Sequence, residues 1–356
     1  MLGLSKILNI RLYSNIKTTR NILEPLKHRS LLRVAGNEVK EFLQGLITND
    51  INHLSQSLGG SMYTMFLNTK GRVIQDTIIY RTKEIDTFLV ECDNGALDQL
   101  AKHLKMYRVR RKIDIVSMKD ELHVHVLFSN NSIRTEHDEN ASHTKLDGIV
   151  VPCDTLKGTM PETSTSTTIY KNLSIYKDPR VIELGSRIIS KEGTDVKQQI
   201  TELVGAVESP HSHENYKLLR YSLGIGEGIN DLPSDNCFPL ECNCDYLHGI
   251  SFHKGCYIGQ ELTARTHHTG VVRKRLMPLY FKSVPTKLPV DSIIIHQTKN
   301  IGKLRGVEGN LGLALLRVSS ALEFGNITVG NGIASVQKPH WWPLEAPKEK
   351  INMQKS

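Results

Sequence analysis

No stretch of this sequence approaches the ~20 consecutive apolar residues of a membrane-spanning helix. The longest apolar segments, such as Leu311 to Val318, are short and read as buried strands. A membrane partner is therefore not expected. Cysteine is scarce, six in 356 residues with four of them between Cys237 and Cys256. That is too few and too uneven for a disulfide framework, so free thiols are expected. The C-x2-C pairs of structural zinc are missing too. Cys237, Cys242 and Cys244 are separated by four residues and then one, which favours ordinary loop thiols over a private metal site completed by His248 or His253. The pairs His211/His213 and His267/His268 have nothing beside them to complete a ligand set. No internal repeat is visible, which sets aside a solenoid.

Acidic residues are absent from the first twenty positions, which hold Lys6, Arg11, Lys17 and Arg20. Leu2, Leu4, Ile7, Leu8 and Leu12 can share one helical face there, while Lys6, Asn9 and Arg11 break the apolar run that a secretory signal needs. Arg11-Leu12-Tyr13-Ser14 resembles a mitochondrial processing site. We therefore expect a transit peptide over residues 1–13 and unstructured chain to about residue 29, against the alternative of an ordinary amphipathic first helix. Of the net charge of +8, Lys6 and Arg11 would leave with the leader, and the remaining +6 is too modest to indicate a nucleic-acid partner.

From Ser30 the pattern becomes that of an α+β fold of two domains. Leu31 to Val34 reads as a strand, and Val39, Phe42, Leu43, Leu46 and Ile47 recur at helical spacing. Met62 to Leu67 and Val73 to Tyr80 are strands joined by Asn68-Thr69-Lys70-Gly71, residues suited to a tight hairpin. Thr87 to Glu91 is a further strand, and Asp93-Asn94 caps a helix carrying Leu97, Leu100, Ala101 and Leu104. A polar insertion around 129–168 interrupts this region, which runs from 30 to 265 and includes strands at Ile149 to Pro152 and Val181 to Leu184 and a helix at Asn215 to Leu223. From Val271 little helical signal remains. Leu276 to Phe281, Ser292 to His296, Leu311 to Val318 and Ile327 to Val336 predict a small β-barrel over 271–343, followed by a flexible tail at 344–356.

The richest chemistry lies in Lys254-Gly255-Cys256-Tyr257-Ile258-Gly259-Gln260-Glu261. Two glycines bracket the thiol, which predicts a sharply bent loop, and a short helix is expected to start near Gly259. Cys256 would then face that helix's positive end with Lys254, His253 and Arg265 nearby, an environment that eases thiolate formation for a metal ligand or nucleophile. Gln260 and Glu261 would fix the loop by bonding back to its amides. The competing reading is a small buried hydrophobe. One cysteine cannot hold an iron-sulfur cluster, so a partner would supply the other ligands. The basic run Lys102 to Lys112 suits an anionic tail, an acidic protein surface, or simply a solvated helix end followed by an edge strand.

The octapeptide fits the pattern K-G-C-[FY]-x-G-Q-E and resembles the YgfZ-type branch of the glycine-cleavage T-protein superfamily, in its mitochondrial iron-sulfur assembly group. Phe42 to Asp50, Lys70-Gly71-Arg72, Tyr107-Arg108-Val109-Arg110 and Asp178-Pro179-Arg180 are similar as well. The likeness covers roughly Ser30 to Pro343 with the polar insertion unmatched. It implies a ring-like, folate-binding α+β region with a C-terminal β-barrel, placed in the mitochondrial matrix. It further implies that the chain helps A-type iron-sulfur carriers deliver four-iron four-sulfur clusters to client enzymes such as aconitase, lipoate synthase and biotin synthase. Cys256 would be the functional thiol and metal ligand of a shared cluster, supported by Lys254, Gly255, Tyr257, Gly259, Gln260 and Glu261. Tetrahydrofolate is the implied cofactor, with Asp76, Arg108 and Arg110 as contacts. T-proteins carry adjacent acids where this sequence has Gln75-Asp76. The exchange removes charge and basicity, which argues against a classical enzyme and leaves a folate-dependent aminomethyl or one-carbon transferase as the alternative.

Overall fold

In the computed structural model, which describes residues 20–55, 60–130, 167–209, 215–286 and 288–343, the chain enters as β1 (Asn21–Pro25). β2 (Arg29–Ala35), α1 (Val39–Gln44), α2 (Asn52–Ser55), β3 (Ser61–Leu67), β4 (Val73–Arg81), β5 (Thr87–Asp93), α3 (Leu97–Arg108) and β6 (Asp114–Ser117) follow. Strands β3-β4-β5-β2-β6 pair in that order, all antiparallel. The β3–β4 hairpin forms because Asn68 Oδ1 accepts from the amides of Lys70 (2.9 Å) and Arg72 (3.0 Å) while Gly71 takes φ +75°. Asp93 Oδ1 accepts from Gly95 N at 2.7 Å and starts the turn leading into α3. Side chains alternate across the sheet. Leu32, Val34 and Ile79 meet α1 and α3 through Phe42, Leu43, Leu97, Leu100 and Leu104, whereas Leu31, Ile78 and Tyr80 face the rest of the molecule.

A second sheet is ordered β11-β1-β7-β10-β9-β8. It comprises β7 (Leu122–Ser129), β8 (Thr167–Tyr170), β9 (Leu173–Lys177), β10 (Ser186–Lys191) and β11 (Val207–Glu208), the last reached through α4 (Val196–Val204). Regular structure is thus present ahead of the expected start at Ser30, because β1 buries Ile22 and Leu23 and pairs antiparallel with β7 and parallel with β11. Val181 to Leu184 is not the expected strand. Leu184 N donates to Val181 O at 3.2 Å and Gly185 N to Ile182 O at 3.1 Å, a 3₁₀ turn that directs Val181 and Leu184 to the core. The transit segment, the strand expected at Ile149 to Pro152, most of the polar insertion, His211/His213 and the tail at 344–356 lie outside the described residues.

α5 (Asn215–Leu223), α6 (Gly228–Asp231) and α7 (Gln260–Thr269) lead into the barrel strands β12 (Lys274–Ser283), β13 (Ile293–His296), β14 (Lys299–Glu308), β15 (Leu311–Arg317), β16 (Asn326–Val329) and β17 (Gly332–Val336). Their order is β13-β14-β15-β12-β17-β16, and Thr328 N donates to His296 Nδ1 at 3.3 Å where the two edges meet. The barrel is nearly closed. Three details depart from expectation. The run Ile327 to Val336 is two strands, folded at Gly330 with φ +59°. Charged β14 is a full strand, and α8 (Val318–Phe324) supplies a helix where none was expected.

His248 is buried at φ +58°, and burial lowers its imidazole from 6.5 to about 4. Unfolding releases the group to its ordinary value, so the unfolded chain binds more protons between these limits. Stability conferred by neutral His248 is complete above pH 6.5 and falls until about pH 4, by roughly 2 kcal/mol at pH 5. His248→Asn, which tolerates the backbone angle, is expected to lose less stability than the parent between pH 7 and 5. Urea unfolding at the two pH values measures this, and equal losses would contradict it.

Candidate functional site

The Cys256 loop is held from beneath. Thr48 Oγ1 donates to Gly249 O at 2.6 Å, Asn49 Nδ2 donates to His248 O at 2.7 Å and to Tyr63 O at 2.8 Å, and Ser251 N donates to Thr48 O at 3.1 Å. Ile258 N donates to Gly45 O at 3.0 Å, just past the end of α1. Tyr257 is buried, and its amide donates to Gln260 Oε1 at 3.2 Å, the back-bond expected of that glutamine. Glu261 is exposed in the first turn of α7. Of the two glycines only Gly259 is required by the backbone. It has φ +79°, and a Cβ there would lie 2.4 Å from Asn68 O, whereas a Cβ on exposed Gly255 would meet nothing within 4 Å. The helix beginning at Gln260 is the one expected.

Lys254 has a different task from the one expected of it. Its Nζ donates to the carbonyls of Gln44, Ile47 and Asn49, each at 2.7 Å, and lies 5.0 Å from the Tyr257 ring centroid. The ammonium's three donors are thereby spent on backbone rather than on the thiol. Burial lowers Lys254 from 10.5 to about 7 while Asp50 acts oppositely. The three carbonyls also favour the charged form. Lys254→Met leaves those acceptors without a donor and is expected to cost about 2–3 kcal/mol. Chemical denaturation measures the loss, and faster amide exchange at Ile258 should accompany it.

The residues expected to bind folate do not converge. Asp76 is 1% exposed, lies 3.5 Å from Arg29 Nη1 and accepts from Gly228 N at 3.0 Å. Burial raises its carboxyl despite Arg29. It shares the sheet face of Ile78 and Tyr80, while α3 packs on the opposite face, so Arg108 and Arg110 are separated from it by the sheet. Arg108 Nη1 donates to Ile113 O at 3.0 Å, and Arg110 is exposed. These three side chains do not fit one tetrahydrofolate site, and an enclosed Asp76 is badly placed as a base.

What surrounds Asp76 is a buried charge network that the sequence reading missed. Arg29 Nε meets Glu91 at 2.8 Å, and Arg187 meets Glu91 at 3.2 Å, Asp178 at 3.3 Å and Glu227. Arg180 bonds Asp178 at 2.7 Å and Glu227 at 2.9 Å, and both Arg180 and Arg187 donate to Tyr216 Oη. Arg220 reaches Asp231 at 2.5 Å. Glu91, a charge following Phe88, Leu89 and Val90 in a strand that the sequence did show, was the available signal.

The described cysteines divide by exposure. None is in a disulfide; Cys92, Cys237, Cys242 and Cys244 are buried, and Cys256 is exposed. Among the described residues no group of three or more His, Cys, Asp or Glu can hold a metal ion. Residues 21–128 match the GCVT N-terminal domain family, and residues 273–344 match the family described as CAF17, C-terminal beta-barrel domain. The mitochondrial iron-sulfur cluster assembly factor IBA57 of Mus musculus is 33% identical over 345 residues, spanning 90% of this chain and 85% of that protein. The chain belongs to the IBA57 family. The Homo sapiens IBA57 protein is 33% identical over 337 residues, covering 89% of this chain and 84% of its own. The IBA57 relatives are named as mitochondrial proteins, and the chain is mitochondrial with them. In fold, the crystal structure of glycine cleavage system aminomethyltransferase T from Bartonella henselae matches with a TM-score of 0.63, covering 90% of this chain and 85% of that one at 15% identity. The α+β region with a C-terminal barrel is thus the fold of this IBA57 family member.

Proposed function

We propose that the chain matures four-iron four-sulfur proteins of the mitochondrial matrix, aconitase, lipoate synthase and biotin synthase among them, by working with A-type iron-sulfur carriers through Cys256. The observation that carries this reading is the contrast among thiols: of the described cysteines, Cys256 alone is exposed. Its loop is fastened by Lys254, Thr48, Asn49 and Ile258, so the sulfur is presented from a rigid base without being closed off. On giving up its proton Cys256 supplies one thiolate to iron. A cluster needs further ligands, and with no metal-holding group among the described residues they come from the carrier that brings the cluster as cargo. Aminomethyl transfer finds no support in the enclosed Asp76, and no folate step is assigned to Asp76, Arg108 and Arg110. Anaerobic mixing with a purified A-type carrier, followed by absorption and electron paramagnetic resonance spectroscopy, tests the proposal. A cluster signal specific to the mixture is expected. A cluster assembled on the isolated chain, or a carrier spectrum unchanged by its addition, would count against it.

A further inference from the structure

Three turns lie side by side at one end of the first sheet. Gly36, just past β2, donates from its amide to Asp86 O at 3.0 Å in the turn between β4 and β5. It also abuts the turn from α3 to β6, where a Cβ on Gly36 would come within 2.4 Å of Lys112 O. The two outer turns carry apolar side chains into solvent, Ile85 at 90% exposure and Val109 at 76%, with Met106 at 63% in the last turn of α3. Val109 has φ +51°, a backbone conformation that a β-branched residue rarely takes. It is fixed there from both sides, because Arg111 N donates to Arg108 O at 3.0 Å and Arg108 Nη1 donates to Ile113 O at 3.0 Å. Strain of this kind persists only where its surroundings impose it, and it gathers at functional positions. Cations frame the apolar tips. From Lys102 to Lys112 the chain holds six Lys or Arg and no acid. Arg108 is engaged within the turn, Arg111 lies 3.9 Å from Glu38, and Arg33 pairs with Glu84 at 2.9 Å. Exposed Lys83, Lys102, Lys105, Arg110 and Lys112 then face only the acids Glu41, Asp86 and Asp114 on these elements.

We propose that this face docks on the surface of an anionic bilayer, with Ile85 and Val109 entering the interfacial layer and the flanking cations meeting lipid phosphates. An apolar tip among cations adds burial in lipid to attraction by a negative surface, and each alone gives only weak binding. A protein partner fits this face less well. Protein interfaces are depleted in lysine and enriched in aromatic residues, whereas lysines stand at positions 83, 102, 105 and 112 here and the one tyrosine of the run, Tyr107, is half-buried. No described helix is long and apolar enough to cross a membrane, so the contact is one of the surface. The shortage of apolar runs, which argued against a membrane partner, bears on spanning and not on this kind of docking. The face goes beyond the role given to Cys256, since it shares none of the residues that fasten that loop.

Co-sedimentation with vesicles tests the assignment, using the chain from Ser14 onward, the expected mature form, so that the basic leader contributes nothing. Vesicles of phosphatidylcholine alone are compared with phosphatidylcholine and phosphatidylglycerol at about 3:1. Binding to the anionic vesicles only is expected, weakened as salt rises from about 0.05 to 0.5 M. Lys105→Glu/Arg110→Glu should lower that affinity about tenfold or more. Lys197→Glu/Lys338→Glu makes the same change of charge at exposed residues outside the face and should leave it unaltered. Ile85→Asn/Val109→Asn removes the apolar tips, with asparagine tolerating the backbone angle at 109, and should lower affinity about fivefold or more. Circular dichroism confirms the fold of each variant. The proposal is overturned if anionic vesicles are not bound or are bound no better than neutral ones, if the two charge variants behave alike, or if the tip variant binds as the parent does. Binding of poly-L-glutamate without binding of anionic vesicles would also overturn it and assign the face to an acidic protein.

Discussion

Replacing Cys256 by serine is expected to leave the protein folded and abundant while removing its ability to restore aconitase activity or protein lipoylation in cells that lack the gene. The side chain is exposed, and surface substitutions away from special features change stability by no more than about 0.5 kcal/mol. Serine keeps nearly the same volume and exchanges a soft ligand for a hydroxyl that stays protonated at neutral pH. The loop's fastenings use the backbone and the side chains of Lys254, Thr48 and Asn49, none of which the substitution touches. A melting temperature within about 2 °C of the parent and restoration below about a tenth of normal are the expected pair of results. The alternative of a structural thiol, which the sequence left open, would have required burial, and the structure places Cys256 outside the core. Full restoration by the serine variant at normal abundance would remove Cys256 from the mechanism.

How much of this was legible beforehand depends on how local each cause is. The β3–β4 hairpin, α1, α3 and the helix after Gly259 follow from residues within a turn or two of one another, and all were readable. The loop's glycines were readable as a pair, yet only Gly259 meets a neighbour, and that neighbour is Asn68, far away in sequence. Lys254 was misread for the same reason: its three acceptors are carbonyls more than 200 residues earlier. Charge concealed the strands that carry it. β14 holds Lys299, Lys303, Arg305 and Glu308, and β10 holds Arg187, so neither shows the apolar alternation by which strands are recognised. The folate contacts failed through topology. Alternation along β4 and the packing of α3 send Asp76 and the basic run to opposite faces of one sheet, a relation invisible until the strand order is known.

Neutralising Glu227 by glutamine is expected to cost about 3–5 kcal/mol of folding free energy, the range for removing one member of a buried ion pair. Glu227 is fully buried between the guanidinium groups of Arg180 and Arg187, with Arg220 at 3.9 Å and His28 at 3.3 Å. Burial alone would raise its carboxyl, but Arg187, Arg180 and Arg29, with the hydrogen bond to His28, pull it well below the ordinary 4.5. Its stabilising charge is therefore present at all pH values above 4.5 and is lost only in strong acid. Glutamine fills the same space and leaves several guanidinium groups undercompensated at the seam where β2, β5, β10 and α5 meet. The exposed pair Arg20–Glu208, each side chain about half exposed, is the internal comparison, and Glu208→Gln should leave the unfolding midpoint unchanged. The two kinds of damage should also differ in cells. Glu227→Gln is expected to lower abundance while each surviving molecule retains its activity, whereas Cys256→Ser keeps abundance and loses activity. Urea unfolding of Glu227→Gln decides the first half, and a loss below about 1 kcal/mol would show that the network is held by its geometry rather than by this charge.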